Sequence, residues 1–246
     1  ALHLVGGVRG IDQTGMDVDA LPAPLPAEPE GSRRCSWIGG AFAVLGALLE
    51  AGAPARASTR TPRPAQFPSG VEVVRLDLDD PESFPGALDG VDKIFLYARP
   101  ETASTFAAAA RAAGADHVVV LSSVAAGSPA TANDDIADLH RTVERAIQEA
   151  GLSWTFIRPG YYATNLLRWR GIREHRELRT AFPDAISSPV HERDIAAVAT
   201  TALLDDAQRG RAIEVLGAGP TTTREQVAAI SRALGEPVRL VEVDVE

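Results

Sequence analysis

Two hydrophobic patterns alternate along the middle of the chain. Ile94–Tyr97 and Val118–Leu121 are short apolar runs without polar interruption, as expected of strands covered on both faces in a parallel sheet. Between them Thr102–Ala113 is an alanine-rich helix that Gly114 stops. The same alternation extends both ways. Upstream, Phe42, Leu45, Leu48 and Leu49 share one helical face in a segment that opens at Ile38 and ends at Gly52. Ala55–Thr59 is then a weak strand, Val71–Leu76 a stronger β-branched one, and Pro81 with Ser83 begins a short helix. Downstream, Asp134–Ala150 is an amphipathic helix, and Trp154–Ile157 is a strand closed by Arg158, Pro159 and Gly160. Asp194 is expected to cap a helix over Ile195–Leu204, Ala212–Leu216 to be a strand, Thr223 to cap a helix through Leu234, and Val238–Val243 to be a last strand. The pattern predicts an α/β fold with a doubly wound parallel sheet, whose ligand crevice lies beyond the carboxyl ends of the strands.

Two stretches lack a period. Ile11–Arg34, where Pro22, Pro24, Pro26 and Pro29 interleave with alanine and acidic residues, offers no hydrophobic face and is expected to be a loop or insertion. It follows Ala1–Val5, a candidate buried strand leading into Gly6, Gly7 and Gly10. Tyr161–Ser188 mixes aromatic and charged residues and is expected to cap the ligand site. The expected organisation is a nucleotide-binding-type core over 1–160, with the proline-rich insertion at about 11–36, and a substrate-side region over 161–246 that also completes the sheet.

Composition narrows the functional classes. With 45% hydrophobic and 23% charged residues the chain falls in the globular range, and its net charge of -9 argues against nucleic-acid binding. A single cysteine, Cys35, rules out an internal disulfide and fits a cytoplasmic setting. No apolar stretch is long enough to span a bilayer, no His/Cys/Asp spacing suggests a metal, and no Gly-x-Ser-x-Gly string suggests a hydrolase. A monomer or homodimer acting on a small molecule is expected.

Four strings carry a family resemblance: Val71-Glu72-Val73-Val74-Arg75-Leu76-Asp77-Leu78-Asp79-Asp80; His117-Val118-Val119-Val120-Leu121-Ser122-Ser123; Trp154-Thr155-Phe156-Ile157-Arg158-Pro159-Gly160; and His191-Glu192-Arg193-Asp194-Ile195-Ala196. In order and spacing they resemble the NmrA-like branch of the atypical short-chain dehydrogenase/reductases, over roughly Val44–Val243. The resemblance implies a Rossmann-like fold that binds NADP, with NAD possible. It implies Asp77 and Leu78 near the adenine, and Arg60 and Arg63 where a guanidinium fork meets the 2′-phosphate. Tyr97, Ser122 and Pro159, at the ends of their strands, would also face the cofactor.

The glycine-rich turn of that family, whose backbone amides meet the pyrophosphate, is displaced here. Its positions fall on Cys35, Ile38 and Ala41, whose side chains obstruct close approach. Either Leu2–Val5 is the first strand with Gly7 and Gly10 in its turn, or Gly39 and Gly40 alone permit contact. Loss of the nucleotide site is the third alternative.

The chemistry is equally atypical. A Tyr-x-x-x-Lys proton relay is impossible, because the only lysine, Lys93, opens a strand. The matching helix carries His140 and Glu144 at i, i+4, so His140 is a candidate acid oriented by Glu144. Ser122 or Ser123 could hydrogen-bond a substrate carbonyl. Tyr161, Tyr162 and Asn165 could orient substrate or nicotinamide. An NADP-dependent oxidoreductase of a small carbonyl, quinone or enone is the leading expectation. A non-catalytic NADP-sensing regulator and a cofactor-free cyclase or isomerase are the alternatives.

Overall fold

The apolar runs become the centre of a sheet. The computed structural model describes residues 2–5, 36–131 and 134–244. In chain order the elements are β1 (Leu2–Val5), α1 (Ser36–Glu50), β2 (Ala55–Thr59), β3 (Glu72–Arg75), α2 (Phe84–Leu88), β4 (Lys93–Tyr97), α3 (Ala103–Ala112), β5 (His117–Leu121), α4 (Val124–Gly127), α5 (Asp135–Glu149) and β6 (Ser153–Pro159). There follow α6 (Arg170–His175), β7 (Glu177–Thr180), β8 (Ile186–Ser187), α7 (Glu192–Leu204), β9 (Arg211–Val215), β10 (Thr221–Thr222), α8 (Thr223–Leu234) and β11 (Arg239–Glu242). Among the described residues the main sheet has the order β3-β2-β1-β4-β5-β6-β9, parallel throughout.

Leu2–Val5 is therefore the first strand, paired with β2 on one side and β4 on the other. Every residue of β5 is buried, which explains its unbroken hydrophobicity. One face of the sheet packs against α2, α3 and α5 through Phe84, Phe106 and Ile147; the other packs against α1 and α7 through Val44, Leu48 and Leu203. Phe84 and Phe106 meet edge to face with ring centroids 5.3 Å apart. In α3 the buried Ala103, Ala107 and Ala110 let the helix lie close to the sheet while Phe106 fills the remaining space. Each such large side chain contributes roughly 1.5–3 kcal/mol by leaving water.

The carboxyl-terminal elements have a small core of their own, with Ile172, Leu178 and Val227 at its centre. Here β11 pairs in parallel with β7, and β10 pairs antiparallel with β8. The expected last strand does form, but it lies beside β7 and not in the main sheet, which β9 completes. Its exposed ends, Arg239 and Glu242, flank the half-buried Leu240 and Val241, as suits a short two-stranded ribbon.

Two helix starts also differ from expectation. The cap of α7 is His191, whose Nδ1 accepts from the Arg193 amide at 3.1 Å, so Asp194 sits inside the first turn, where a carboxylate favours the helix dipole. The cap of α8 is Thr222, one residue early: its Oγ1 accepts from the Glu225 amide, and the Glu225 carboxylate accepts from the Thr222 amide. We expect Thr222→Ala to cost about 1 kcal/mol, read as a lower urea midpoint at unchanged slope.

Candidate functional site

The chain winds outward from β1 through β2 to β3, then returns to place β4 on the other side of β1. Between the carboxyl ends of β1 and β4 the connections diverge, and an open α/β sheet holds its ligand crevice at such a reversal. Residues leaving the strands at this end include Arg60 after β2, Asp77 and Leu78 after β3, Ala98 and Arg99 after β4, Ser122 and Ser123 after β5, and Gly160–Tyr162 after β6.

The β2 and β3 side is electrostatically sorted. Arg75 pairs with Asp80 at 2.8 Å, and Arg99 bridges Asp79 at 2.7 Å and Glu101 at 3.3 Å. Asp77 accepts from the Asp79 amide at 3.1 Å and so shapes its own turn. Leu78 is buried in the core, and its carbonyl accepts from the Thr102 hydroxyl. Half-buried Arg60 and exposed Arg63 form no ion pair with any described residue. A half-buried guanidinium left without a carboxylate at a strand exit fits a phosphate ligand.

On the other side of the reversal is a cleft of about 480 Å³, open to solvent and lined by Val44, Tyr97, Leu121, Tyr162, Asn165 and Glu192, among others. Tyr97 ends β4 with its ring edge-on to Phe95. Burial raises the pKa of both Tyr97 and Tyr162 far above the ordinary phenol value, and Glu192 raises Tyr162 further. Tyr161 is 38% exposed, and burial of the rest of its ring raises its pKa too. All three phenols stay protonated. The Tyr162 backbone is held in place because the Val190 amide donates to Tyr161 and the Ala163 amide donates to Val190, both at 2.8 Å.

The serines and His140 occupy a second layer. Ser122 is buried and donates to Glu144 Oε1 at 2.6 Å, so it does not face a substrate carbonyl. Ser123 accepts from the Ala125 amide at 3.2 Å and caps α4. His140 is 8% exposed, and its Nδ1 has no hydrogen-bond partner. Burial lowers its pKa to about 4 and outweighs the opposing pull of Glu144. The expected pairing in which Glu144 orients His140 does not form: both Glu144 oxygens are engaged by Arg158, at 2.9 and 2.6 Å, and by Ser122.

Of the remaining candidates, Pro159 ends β6 and is buried. Gly39 and Gly40 lie in α1 after Ser36, Trp37 and Ile38, where backbone amides are already engaged in the helix ladder. Gly7 and Gly10 lie outside the described residues. Lys93 is confirmed away from the crevice, bound to Asp206 at 2.8 Å and to the Leu203 carbonyl. Sequence reasoning missed Glu192 as a cleft residue, and Arg158 and Arg141 as organisers. Only the placement of Arg158 immediately before Pro159-Gly160 hinted at a role.

A strand-order reversal with, on one side, a cation that no described carboxylate pairs and, on the other, an aromatic cleft defines a dinucleotide-binding protein of the doubly wound class. Residues 40–206 match a family described as NAD(P)H-binding, and the chain belongs to it. The chain is 41% identical over 208 residues to a (4-alkanoyl-5-oxo-2,5-dihydrofuran-3-yl)methyl phosphate reductase of Streptomyces griseus, covering 82% of this chain and 73% of that protein. An NAD(P)H azoreductase of Xenophilus azovorans is 34% identical with the same coverage. The fold is shared with triphenylmethane reductase of Citrobacter sp. solved with NADP(H), at TM-score 0.71, 23% identity, and coverage of 83% of this chain and 76% of that one. It is also shared with an Escherichia coli NADPH-dependent quinone oxidoreductase solved with NADPH, at TM-score 0.73, 24% identity, and coverage of 83% and 75%.

Proposed function

We propose that the protein is an NADPH-dependent reductase of a small conjugated acceptor, such as a carbonyl, quinone or enone. Its relatives are named as reductases of a furanone phosphate and of azo compounds, and such acceptors share a polarised or extended π-system. NADPH, when bound, supplies a hydride. Arg60, helped by Arg63, holds the 2′-phosphate; Asp77 and Leu78 border the adenine; Tyr97, Ser122 and Pro159 form the wall at the nicotinamide end. Tyr161, Tyr162 and Asn165 orient the acceptor, and residues 161–246 form its cover.

Proton delivery is assigned to Tyr161. A ring with a pKa of about 4 is neutral at working pH and cannot serve as an acid, which removes His140 from that role. Tyr162 is half-buried in the cleft wall, whereas Tyr161 is the more exposed, reaches water and keeps its proton available. A conjugated acceptor gives a stabilised anion after hydride transfer and needs only a solvent-connected proton. That requirement matches a site without a tyrosine–lysine pair.

The observation that carries NADPH over NADH is Arg60 at the exit of β2, which no carboxylate among the described residues pairs. Titration by nucleotide fluorescence should show NADPH bound, and Arg60→Ala should weaken it by about 10- to 100-fold while NADH changes by less than about threefold. Equal losses for both nucleotides would remove the phosphate role. Binding without turnover of any acceptor would instead indicate a sensor, and no binding of either nucleotide would indicate a cofactor-free enzyme.

A further inference from the structure

Helix α5 turns two charged side chains toward the segment that leaves β5. Arg141 donates to the carbonyls of Ala125, Ala126, Ser128 and Thr131 at 3.1–3.3 Å and so holds α4 and the turn after it. Glu144 lies on the same side of the helix, 6% exposed, and takes the Ser122 hydroxyl on one oxygen and the Arg158 fork on both. Ser122 is the first residue after β5, and Arg158 is the penultimate residue of β6. The guanidinium also lies close against the end of α4: a Cβ at Gly127 would come within 2.5 Å of Arg158 Nη1.

One carboxylate thus ties together the exits of the two strands that wall the nicotinamide end of the crevice. A buried ion pair is a poor device for stability, since an apolar pair of equal volume does as well or better. What the charged pair adds is direction: a forked guanidinium and a short hydroxyl bond admit one relative placement of the two exits. Glu144 also stands four residues after His140, where the lysine of a tyrosine–lysine relay would stand.

We propose that Glu144, with Ser122 and Arg158, is a positioning brace that sets the spacing of the β5 and β6 exits around the reacting end of the cofactor, in place of a proton relay. This rests on the NADPH-reductase assignment above. The brace moves no proton: Arg158, its pKa raised by its hydrogen bond to Glu144, stays charged, and Ser122 keeps its hydrogen.

The test compares Glu144→Gln, Arg158→Lys and Ser122→Ala with the parent, using NADPH and menadione as a probe acceptor. Glutamine keeps the shape and loses the charged fork. We expect kcat to fall about 10- to 100-fold in Glu144→Gln and Arg158→Lys, because small misplacements of reacting groups cost that much. The NADPH Kd, fixed largely at the phosphate end, should move less than about threefold. The pH–rate profile between roughly pH 5 and 9 should keep its shape. Amide hydrogen exchange over residues 122–131 should accelerate in the same variants.

Unchanged kcat in folded variants would overturn the proposal, since the brace would then be merely structural. Loss of one limb of the pH profile would also overturn it, since Glu144 would then be transferring protons. If Glu144→Gln does not fold, Ser122→Ala decides, because it removes one hydrogen bond and leaves the ion pair paired; kcat reduced by roughly three- to tenfold supports the brace, and an unchanged value refutes it. If the parent does not turn NADPH over, the functional assignment fails separately. In that case unchanged exchange over 122–131 in Glu144→Gln sinks the brace on its own.

Discussion

Gly217→Ala should lower the melting temperature by several degrees, whereas Gly219→Ala two residues away should leave it unchanged. A Cβ on Gly217 would sit 2.0 Å from the Pro189 carbonyl oxygen and 2.7 Å from its carbon, both backbone atoms that no rotamer change can move. At Gly219 nothing lies within 4 Å. The Gly217 amide donates to the Ser188 carbonyl at 3.1 Å, so the alanine must push apart two segments that are hydrogen-bonded. Overpacking of this kind costs roughly 3 kcal/mol, which for a chain of this size is about 6–12 °C. The damage should also reach the crevice, because Val190, just beyond Pro189, holds Tyr161 and Ala163 on either side of Tyr162. Thermal unfolding followed by circular dichroism is the measurement. Equal melting temperatures for the two variants would show that the segments separate freely.

The second large effect is acid sensitivity above the carboxylate range. His117, fully buried, donates or accepts through Nε2 with Thr155 Oγ1 at 2.9 Å, while its Nδ1 has no partner. Burial, reinforced by Arg209 and Lys93, lowers its pKa to about 4, and His140 is lowered to about 4 by burial. In the unfolded chain both rings titrate near the ordinary value of about 6.5. As pH falls from about 6.5 toward 4, the unfolded state binds protons that the folded state refuses, so stability falls with pH. Each ring contributes on the order of 3 kcal/mol over that window, and two together rival the whole stability of an ordinary domain. Above about pH 6.5 both states hold neutral rings and the dependence vanishes. Urea midpoints at pH 7, 6, 5 and 4.5 should therefore decline steeply at the acid end, and His140→Leu should flatten the decline by about half. A flat series would mean that water reaches the rings in the folded protein.

The sheet was legible where local chemistry and final environment coincide. Val118–Leu121 and Ile94–Tyr97 are buried on both faces, so their apolar runs announced β5 and β4 directly. Even Leu2–Val5 was recognisable as a strand, and it pairs with β2 and β4. The carboxyl-terminal ribbons were opaque. β7, β8 and β10 have two to four residues each, are half-exposed, and exist only because a partner far along the chain pairs with them. The site followed the same division. Arg60 could be placed at a strand exit from sequence, but that no described carboxylate pairs with it, while Asp79 and Asp80 pair with Arg99 and Arg75, could be read only from the fold. Glu144 was visible as a neighbour of His140 on one helix face. Its true partners, Ser122 and Arg158, lie 22 and 14 residues away at the ends of two different strands, beyond the reach of helical periodicity.

The ribbon of β7 and β11 joins residues 62 positions apart, Glu177 and Arg239 among them. Closing so long a loop is entropically slow, whereas every neighbouring pair of the inner strands β4, β5 and β6 is bridged by a short local crossover. On a ribosome the sheet can therefore be assembled through β6 before β11 has emerged. Until then the small core around Ile172, Leu178 and Val227 lacks Leu240, so this part of the chain is expected to be the last to consolidate.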